Sequence, residues 1–249
     1  LLMLFSYLEQ LCLSVMIIVS LGLFSWELIR RFKIVFKGEG NFNFDRINKR
    51  IIRVINEFFL QKKVLKQRFL PGLMHAFVFW GFIAFSFITI DHFLHGFNKS
   101  LFTNYIRNMY GLFFGIPWAL LVLIGISYLA YRRFYIRPKY LGEKISYTSA
   151  IVALFIALLM ITYLIDIFWV INNQHPSNFS YKIVWWLHAI LISSFLIIIP
   201  KSKHLHLVLS PFNIFLKSFD TPNHQPVPID MEGSEEALET LISKMDRLT

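Results

Sequence analysis

Cysteine is almost absent from this sequence, since Cys12 is the single one among 249 residues. One thiol excludes a disulfide framework, and it excludes a thiolate site for zinc or an iron–sulfur cluster built by this stretch of chain alone. Acidic residues are also few, with 15 Asp and Glu against 25 Lys and Arg, so the net charge is +10. The basic residues cluster at the ends of apolar runs, which is typical of membrane topology and not of nucleic-acid binding.

Long apolar runs are what the sequence has in abundance. Hydrophobic residues make up 56% of the chain, and phenylalanine alone contributes 27 residues. Five runs approach or exceed the roughly 20 residues that cross a bilayer as a helix. They cover residues 1–29, 70–93, 109–131, 145–170 and 185–200. We therefore expect an all-α fold, a polytopic membrane helical bundle with five transmembrane helices, in a membrane domain of residues 1–217.

The distribution of lysine and arginine predicts how this bundle is oriented. Basic clusters follow the first, third and fifth runs, whereas only Lys99, Arg107 and Lys182 lie in the connections on the other side. Cytoplasmic loops carry the excess of basic residues. The pattern predicts an outer amino terminus, a cytoplasmic carboxyl terminus and a multi-pass location in the cell's inner (cytoplasmic) membrane.

Two segments do not fit a membrane span. Residues 45–69 alternate apolar and basic residues at helical spacing, which indicates an amphipathic cytoplasmic helix. Such a helix either lies on the membrane, attracted by anionic lipid, or forms a docking surface for a soluble partner. Residues 218–249 are polar and begin with a proline-rich stretch, so we interpret them as a cytoplasmic connector or tail.

Histidines stand near both ends of the last apolar run. His188 and His206 are eighteen residues apart, which in one continuous helix places them about 27 Å apart on the same face. That distance approaches the thickness of a bilayer, so one helix would offer an axial ligand to each of two stacked haems. His204 would point about 160° away. The alternative is that these histidines merely anchor a helix in the headgroup region.

The predicted topology supplies each of these histidines with a partner on the second span. His75 falls at the cytoplasmic side with His206, and His92 falls at the outer side with His188. Facing helices of a bundle build bis-histidine sites in this way. Gly72 and small neighbours on the second span either leave room for a macrocycle or allow close helix packing.

Two short motifs add a family resemblance. Trp186-Leu187-His188, with eighteen-residue spacing to a Pro-x-Ser-Lys-x-x-His-Leu sequence that starts at Pro200, resembles the last helix of the nitrate reductase gamma subunit superfamily. Leu73-Met74-His75 resembles its second helix. The closer similarity, over residues 1 to about 220, is to the membrane haem b domain of iron–sulfur-binding reductases. These are relatives of the heterodisulfide reductase membrane subunit, and some act as electron-transfer-flavoprotein:menaquinone oxidoreductases.

The resemblance implies a b-type haem between His75 and His206, with His188 contributing to a second. In the gamma subunit the other ligand comes ten residues after the first on the second helix, where this chain has Phe85, which cannot bind iron. His92, a heptad further on, would replace it. The resemblance thus implies two haems, or one if His92 does not serve.

The same resemblance implies the partners and the reaction. It makes the chain a quinone-linked oxidoreductase subunit that relays electrons between a cytoplasmic iron–sulfur or flavoprotein module and quinone. The clusters would lie on a partner or beyond the carboxyl terminus. Intramembrane carboxylates are costly and usually functional, so Asp91 and Asp166 are either proton-exchange groups at an outer quinone site or shallow, solvated residues. The alternative function is a non-haem membrane anchor or a transporter with interfacial histidines.

Overall fold

The computed structural model describes residues 5–35, 45–138, 147–171, 178–217 and 219. Regular structure within these ranges is helical, without strands. The α-helices are α1 (Tyr7–Val35), α2 (Ile47–Val54), α3 (Lys62–Gln67), α4 (Phe69–Gly96), α5 (Asn104–Tyr110), α6 (Ile116–Tyr131), α7 (Tyr147–Ile171), α8 (Asn178–Ile198) and α9 (His206–Leu216). The predicted tail at 218–249 lies outside the described residues, apart from Phe219.

Five helical segments of the described chain are long and apolar enough to cross a membrane, which confirms the predicted all-α class and helix number. They are Tyr7–Lys33, Phe69–Gly96, Tyr105–Ile136, Tyr147–Trp169 and Phe179–Lys201. The third is continuous because a π-helical turn, Gly111–Gly115, joins α5 to α6. Large apolar side chains such as Ile18, Phe113 and Phe168 are exposed on these segments, as expected of a surface that faces lipid.

Small residues let neighbouring spans approach closely. In the described chain α4 packs on α6, α6 on α7, α7 on α8, and α8 on α1, while α1 touches α4 less. A β-carbon at Gly81 would collide with Val122 of α6, and one at Gly72 would lie 2.9 Å from the Val64 carbonyl oxygen. These two glycines therefore serve close packing, the second of the two roles that the sequence leaves open.

The single amphipathic helix predicted for residues 45–69 is wrong in one respect, because the segment is broken. A π-helical turn, Ile55–Phe59, follows α2, and Gln61 then adopts the left-handed conformation with φ 49° before α3 begins. This conformation costs free energy for a residue other than glycine. The break turns the buried Gln61 side chain toward α4, where it contacts His75.

The continuous helix assumed between His188 and His206 is also wrong. After α8 the chain forms a short 3₁₀ turn, Ile199–Lys201, and Ser202 is extended at φ −114° and ψ 176°. Pro200 has no amide hydrogen to continue the α-helical ladder, and the Ser202 hydroxyl accepts a hydrogen bond from the His204 amide, which starts a new turn. His206 therefore opens a separate helix, α9.

A buried arginine ties α2 to the end of α9. Arg50 is 2% exposed, and its guanidinium donates to the carbonyl oxygens of Phe215 and Lys217 and to the carboxylate and carbonyl of Asp45. The hydrogen bond from Arg50 holds the pKa of the Asp45 carboxyl below its ordinary value. The ring of Phe219 lies 5.2 Å from the same guanidinium. This clamp positions α9, and therefore His206, beneath the bundle.

The orientation of the bundle is a prediction with a direct experiment. A reporter fused after Lys217 is expected to be active on the cytoplasmic side, and one inserted near Asn173 on the outer side, because the basic residues concentrate at the first of these faces. Paired cytoplasmic and exported reporters at both positions measure this. The reverse pattern would contradict the placement of every site described below.

Candidate functional site

Two histidines from distant parts of the chain meet at the predicted cytoplasmic end of the bundle. His75 lies in the second turn of α4, and His206 is the first residue of α9. Their ring centroids are 6.1 Å apart and the ring planes differ by 31°. This is the inner pair that the sequence predicts, although it forms through the break after α8 and not along one helix.

Hydrogen bonds fix the tautomer of both rings of the inner pair. Nδ1 of His75 lies 3.0 Å from Oε1 of Gln61, and Nδ1 of His206 lies 2.7 Å from the carbonyl oxygen of Lys203. A carbonyl oxygen only accepts, so Nδ1 carries the proton in each ring and Nε2 keeps its lone pair. Metal-bound histidines show this same arrangement.

The spacing of the inner pair fits a metal between the rings. A metal–imidazole bond is about 2 Å long and a ring nitrogen lies about 1 Å from its centroid, so two imidazoles opposite each other on one metal have centroids about 6 Å apart. The observed 6.1 Å agrees with that value. No group of three or more His, Cys, Asp or Glu side chains suited to a metal ion occurs in the described part of the chain. The inner pair thus suits a group that brings its remaining ligands with it, as haem does.

His204 is a third histidine near this pair, with its ring centroid also 6.1 Å from that of His206. Burial, followed by the proximity of His206 and His75, lowers the pKa of His204 to about 4. Only Leu205 separates His204 from His206 in one tight segment, so the two rings cannot approach a macrocycle from different helices. His75, which approaches from another helix, is therefore the partner of His206.

The outer pair has a different geometry. His92 of α4 and His188 of α8 have ring centroids 4.7 Å apart, with 60° between the planes. His92 stacks on Trp185 at 13° and lies 3.3 Å from its carbonyl oxygen through Nε2. The Thr162 hydroxyl donates to the Leu158 carbonyl oxygen and receives Nδ1–H of His188 at 2.6 Å. The rings are too close for an iron between them, so the outer pair does not fit bis-histidine haem ligation.

A small polar cavity of about 70 Å³ lies beside the outer pair. Asp91, Asp166, Arg107, Tyr163 and Tyr181 line it together with both histidines. The structure thus brings both predicted carboxylates to the same place as His92 and His188.

Asp91 and Asp166, the two carboxylates of this polar cavity, differ in their burial and in their contacts. Asp91 is buried, and its Oδ1 accepts from the Ser100 hydroxyl and the Leu101 amide while its Oδ2 lies 3.5 Å from Nε of Arg107. It therefore fastens the loop after α4 and is not a shallow, solvated residue. Asp166 is partly exposed and faces the cavity from α7.

Sequence reasoning missed several polar residues that complete these sites: Gln61, Thr162, Tyr163 and Trp185. Tyr163 and Trp185 are 6% and 3% exposed, and their hydroxyl and indole nitrogen have no hydrogen-bond partner among the residues that the structure describes. The Tyr163 hydroxyl lies against Gly111 and Gly115, where a β-carbon at Gly115 would collide with it. Isolated polar residues in apolar runs carry no motif, so no sequence signal distinguishes these from other tyrosines and tryptophans.

An apolar cavity of about 440 Å³ adjoins the outer pair toward the middle of the membrane. It lies between α1, α4, α6, α7 and α8, and its walls include Phe85, Val122, Met160 and Phe195. His188 and Ile88 line both this cavity and the polar one. Phe85, which stands where the gamma subunit has a ligand, is thus part of an apolar wall.

Comparisons with known proteins find two distant relatives. No protein-family model matches the chain, and no solved structure matches it significantly. It is 27% identical to the probable iron-sulfur-binding oxidoreductase FadF of Bacillus subtilis, over 71% of this chain and 28% of that protein. It is 24% identical to the EtfAB:quinone oxidoreductase of Syntrophomonas wolfei, over 91% of this chain and 36% of that protein. The chain therefore spans less than two-fifths of either relative's length.

Proposed function

We propose that the chain is a membrane cytochrome b subunit that relays electrons between a cytoplasmic iron–sulfur or flavoprotein module and the membrane quinone pool. The observation that carries the proposal is the inner pair, His75 and His206, with Nδ1 of both rings held by carbonyl oxygens. The names of the two distant relatives, an iron-sulfur-binding oxidoreductase and an EtfAB:quinone oxidoreductase, support an electron-transfer role. A haem bound at this pair supplies one-electron transfer.

The protein's own contribution is to hold and orient the two imidazoles of this site. Nε2 of His75 and Nε2 of His206 would hold the haem iron, which would supply one-electron transfer. Gln61 and the Lys203 carbonyl oxygen orient the two imidazoles, and such outer partners also raise the basicity of the ligating nitrogen. His75 is half-buried and His206 is exposed, so the surroundings of the pair, including its exposure to solvent, would influence the reduction potential of the bound group.

The geometry favours one haem over the two that the resemblance implies. The inner pair has the centroid spacing of opposite axial ligands, and the outer pair, His92 with His188, is more than 1 Å closer. Phe85 does not supply an alternative ligand because it packs edge-to-face on Tyr163 in the core. We therefore expect one haem b per polypeptide.

The basic surface next to the inner pair suits an acidic redox partner. The α2–α3 segment packs against α4 and α9, and its exposed residues include Lys49, Lys62, Lys63 and Lys66. Opposite charges guide transient electron-transfer partners into position. The exposed apolar residues of this segment, such as Ile51 and Ile52, fit the membrane surface, so one segment serves both of the roles considered for it.

Haem quantification tests the proposal. Protein purified from a haem-sufficient host is expected to show a b-type reduced-minus-oxidised spectrum and, by pyridine haemochrome analysis, about one haem per polypeptide, the number of fitting sites. A spectrum without b-type absorbance would favour the non-haem anchor or transporter. A ratio of two would instead restore the outer pair as ligands.

A Gln61 variant tests the orientation of the His75 ring separately from the binding of iron by that ring. Gln61→Leu removes the acceptor for Nδ1–H of His75, so the haem affinity is expected to fall by about 10–100-fold while the bound haem stays low-spin. Titration of the apoprotein with haemin measures the affinity, and a potentiometric titration measures the accompanying shift of the reduction potential. Gln67→Leu, at an exposed position of α3, is the matched control. Equal affinities in the two variants would remove Gln61 from the site.

A further inference from the structure

We propose that the outer pair, His92 and His188, is a binding site for a single divalent transition-metal ion, with Zn²⁺ as the ion that fits it best. The two imidazoles would bind the ion from adjacent positions, whereas the inner pair has the spacing of ligands on opposite sides of a metal. The proposal does not depend on the cytochrome assignment, because it uses no residue of the inner pair.

The spacing of the outer pair fits adjacent positions on one ion. With the same bond length and ring size as for the inner pair, each ring centroid lies about 3 Å from a bound metal. Two imidazoles at a right angle on that metal have centroids about 4.2 Å apart, and at the tetrahedral angle about 4.9 Å apart. The observed 4.7 Å falls between these values. The spacing that is too short for opposite ligands of an iron is therefore the spacing expected for adjacent ligands of a tetrahedral ion.

Hydrogen bonds leave one lone pair on each ring of the outer pair. Nε2 of His92 lies 3.3 Å from the Trp185 carbonyl oxygen, which only accepts, so this nitrogen carries the proton and Nδ1 has the lone pair. The Thr162 hydroxyl donates to the backbone and receives Nδ1–H of His188, which leaves the lone pair on Nε2. Metal-binding histidines are commonly held by such partners, which fix the tautomer and the orientation of the ring.

The polar cavity beside the rings offers the remaining coordination positions and part of the charge. Both rings line it, and its volume of about 70 Å³ holds several water molecules, each of which needs about 10–15 Å³ of such space. Asp91 and Asp166 line the same cavity and would offset the charge of a dication, although Oδ2 of Asp91 also lies 3.5 Å from Nε of Arg107. Arg107 and Asp166 are partly exposed, so an ion can reach the cavity from the end of the bundle.

The small number of protein ligands predicts an exchangeable ion. Within the described ranges no three His, Cys, Asp or Glu side chains are grouped as a metal site requires, so water would complete the coordination. Structural zinc sites use four protein ligands and catalytic sites three. We therefore expect an ion that binds reversibly and, while bound, joins α4 to α8 through His92 and His188. Imidazole ligands favour Zn²⁺ and Cu²⁺ over Mg²⁺ and Ca²⁺.

Zinc titration of purified, chelator-treated protein tests the proposal. Wild-type protein is expected to bind one Zn²⁺ at the outer pair, measured by competition with a fluorescent zinc indicator, and to gain thermal stability because the ion binds the folded state. His92→Ala and His188→Ala are each expected to lower the zinc affinity by more than about 100-fold, because loss of an outer partner alone costs about 10–100-fold. Wild-type affinity in either variant would overturn the proposal.

Two further histidine variants locate the ion. His95→Ala removes a histidine that lines the same cavity, and it is expected to bind zinc as wild type does. His206→Ala breaks the inner pair and is also expected to retain zinc. Equal loss of affinity in His95→Ala and His92→Ala would assign the ion to the cavity in general and overturn the proposal. Zinc lost in His206→Ala and kept in His188→Ala would assign it to the inner pair, with the same consequence.

Cu²⁺ gives an independent measurement on protein whose outer pair is intact. In His206→Ala protein, where the inner pair does not contribute, bound Cu²⁺ is expected to show coupling to two imidazole nitrogens in its electron paramagnetic resonance spectrum. Thr162→Val keeps the shape of the side chain but removes the acceptor for Nδ1–H of His188, so the zinc affinity is expected to fall by about 10–100-fold. Coupling of the first equivalent of Cu²⁺ to one nitrogen or to none would overturn the proposal.

Discussion

His206→Ala is expected to abolish the b-type spectrum of the protein. The change removes one of the two imidazoles that would hold the proposed haem at the inner pair. Loss of an outer partner alone weakens a metal site by about 10–100-fold, so loss of a direct ligand is expected to cost more. Any haem that stays has a single strong axial ligand and becomes high-spin. Dithionite-reduced minus oxidised spectra and pyridine haemochrome analysis measure both effects.

Three histidine variants control for this result. His75→Ala is expected to give the same loss, whereas His204→Ala and His188→Ala are expected to retain most of the haem. Added imidazole fills the space left by His206→Ala and is expected to restore part of the low-spin signal. Unchanged absorbance in His206→Ala, or loss in His188→Ala with retention in His206→Ala, would contradict the assignment of the inner pair.

Arg50→Met is expected to have the second largest effect, although Arg50 touches neither ring. The guanidinium is 2% exposed and satisfies the carbonyl oxygens of Phe215 and Lys217. Methionine fills similar space but donates nothing, so the Phe215 carbonyl oxygen loses the Arg50 hydrogen bond, at a cost of about 1–3 kcal/mol if it stays buried without a donor, whereas the exposed Lys217 carbonyl oxygen keeps the hydrogen bond from Arg53. The end of α9 is then released, and His206 loses its fixed position. We expect lower thermal stability together with substoichiometric haem.

The matched control is Arg46→Met on the same segment. Arg46 is 46% exposed, and its ion pair with Asp45 is long, at 3.5 Å, so its contribution to stability is expected to be small. Thermal melts followed at the haem absorbance compare the two variants. If both lost haem equally, the cause would be the general loss of basic charge at this face and not the buried clamp.

Hydropathy predicts the spans of this protein because a bilayer imposes one requirement on every crossing segment, namely about 20 apolar residues with internally satisfied backbone groups. The predicted starts and ends differ from those observed by several residues. The second span, for example, is predicted at residues 70–93 and is observed from Phe69 to Gly96, with Asp91 inside it. Polar residues inside a helix end do not stop it when a loop satisfies them, as the Ser100 and Leu101 donors do for Asp91.

The two histidine pairs show why a sequence predicts which residues form a site more readily than it predicts the distances between them. Topology predicts that His75 meets His206, and the two rings do lie together. The shared helical face predicted for His188 and His206 fails at Pro200 and Ser202, because helical spacing does not continue across a break. The centroid spacings of the two pairs differ by 1.4 Å, and the outer pair is held by contacts with Thr162 and Trp185. Their roles exist only after α7, α8 and α4 have packed.

Leu21 of α1 and Phe82 and Ile90 of α4 line the apolar cavity and are about half exposed, so a ligand of this cavity would reach it from the side of the bundle. A ligand that enters between α1 and α4 is supplied from the bilayer, so its effective concentration is its mole ratio to lipid and not its amount per litre. Diluting a suspension of proteoliposomes with buffer should leave the bound fraction unchanged, whereas fusing them with ligand-free vesicles should empty the site. Saturation would then follow the composition of the membrane and not the volume of the suspension.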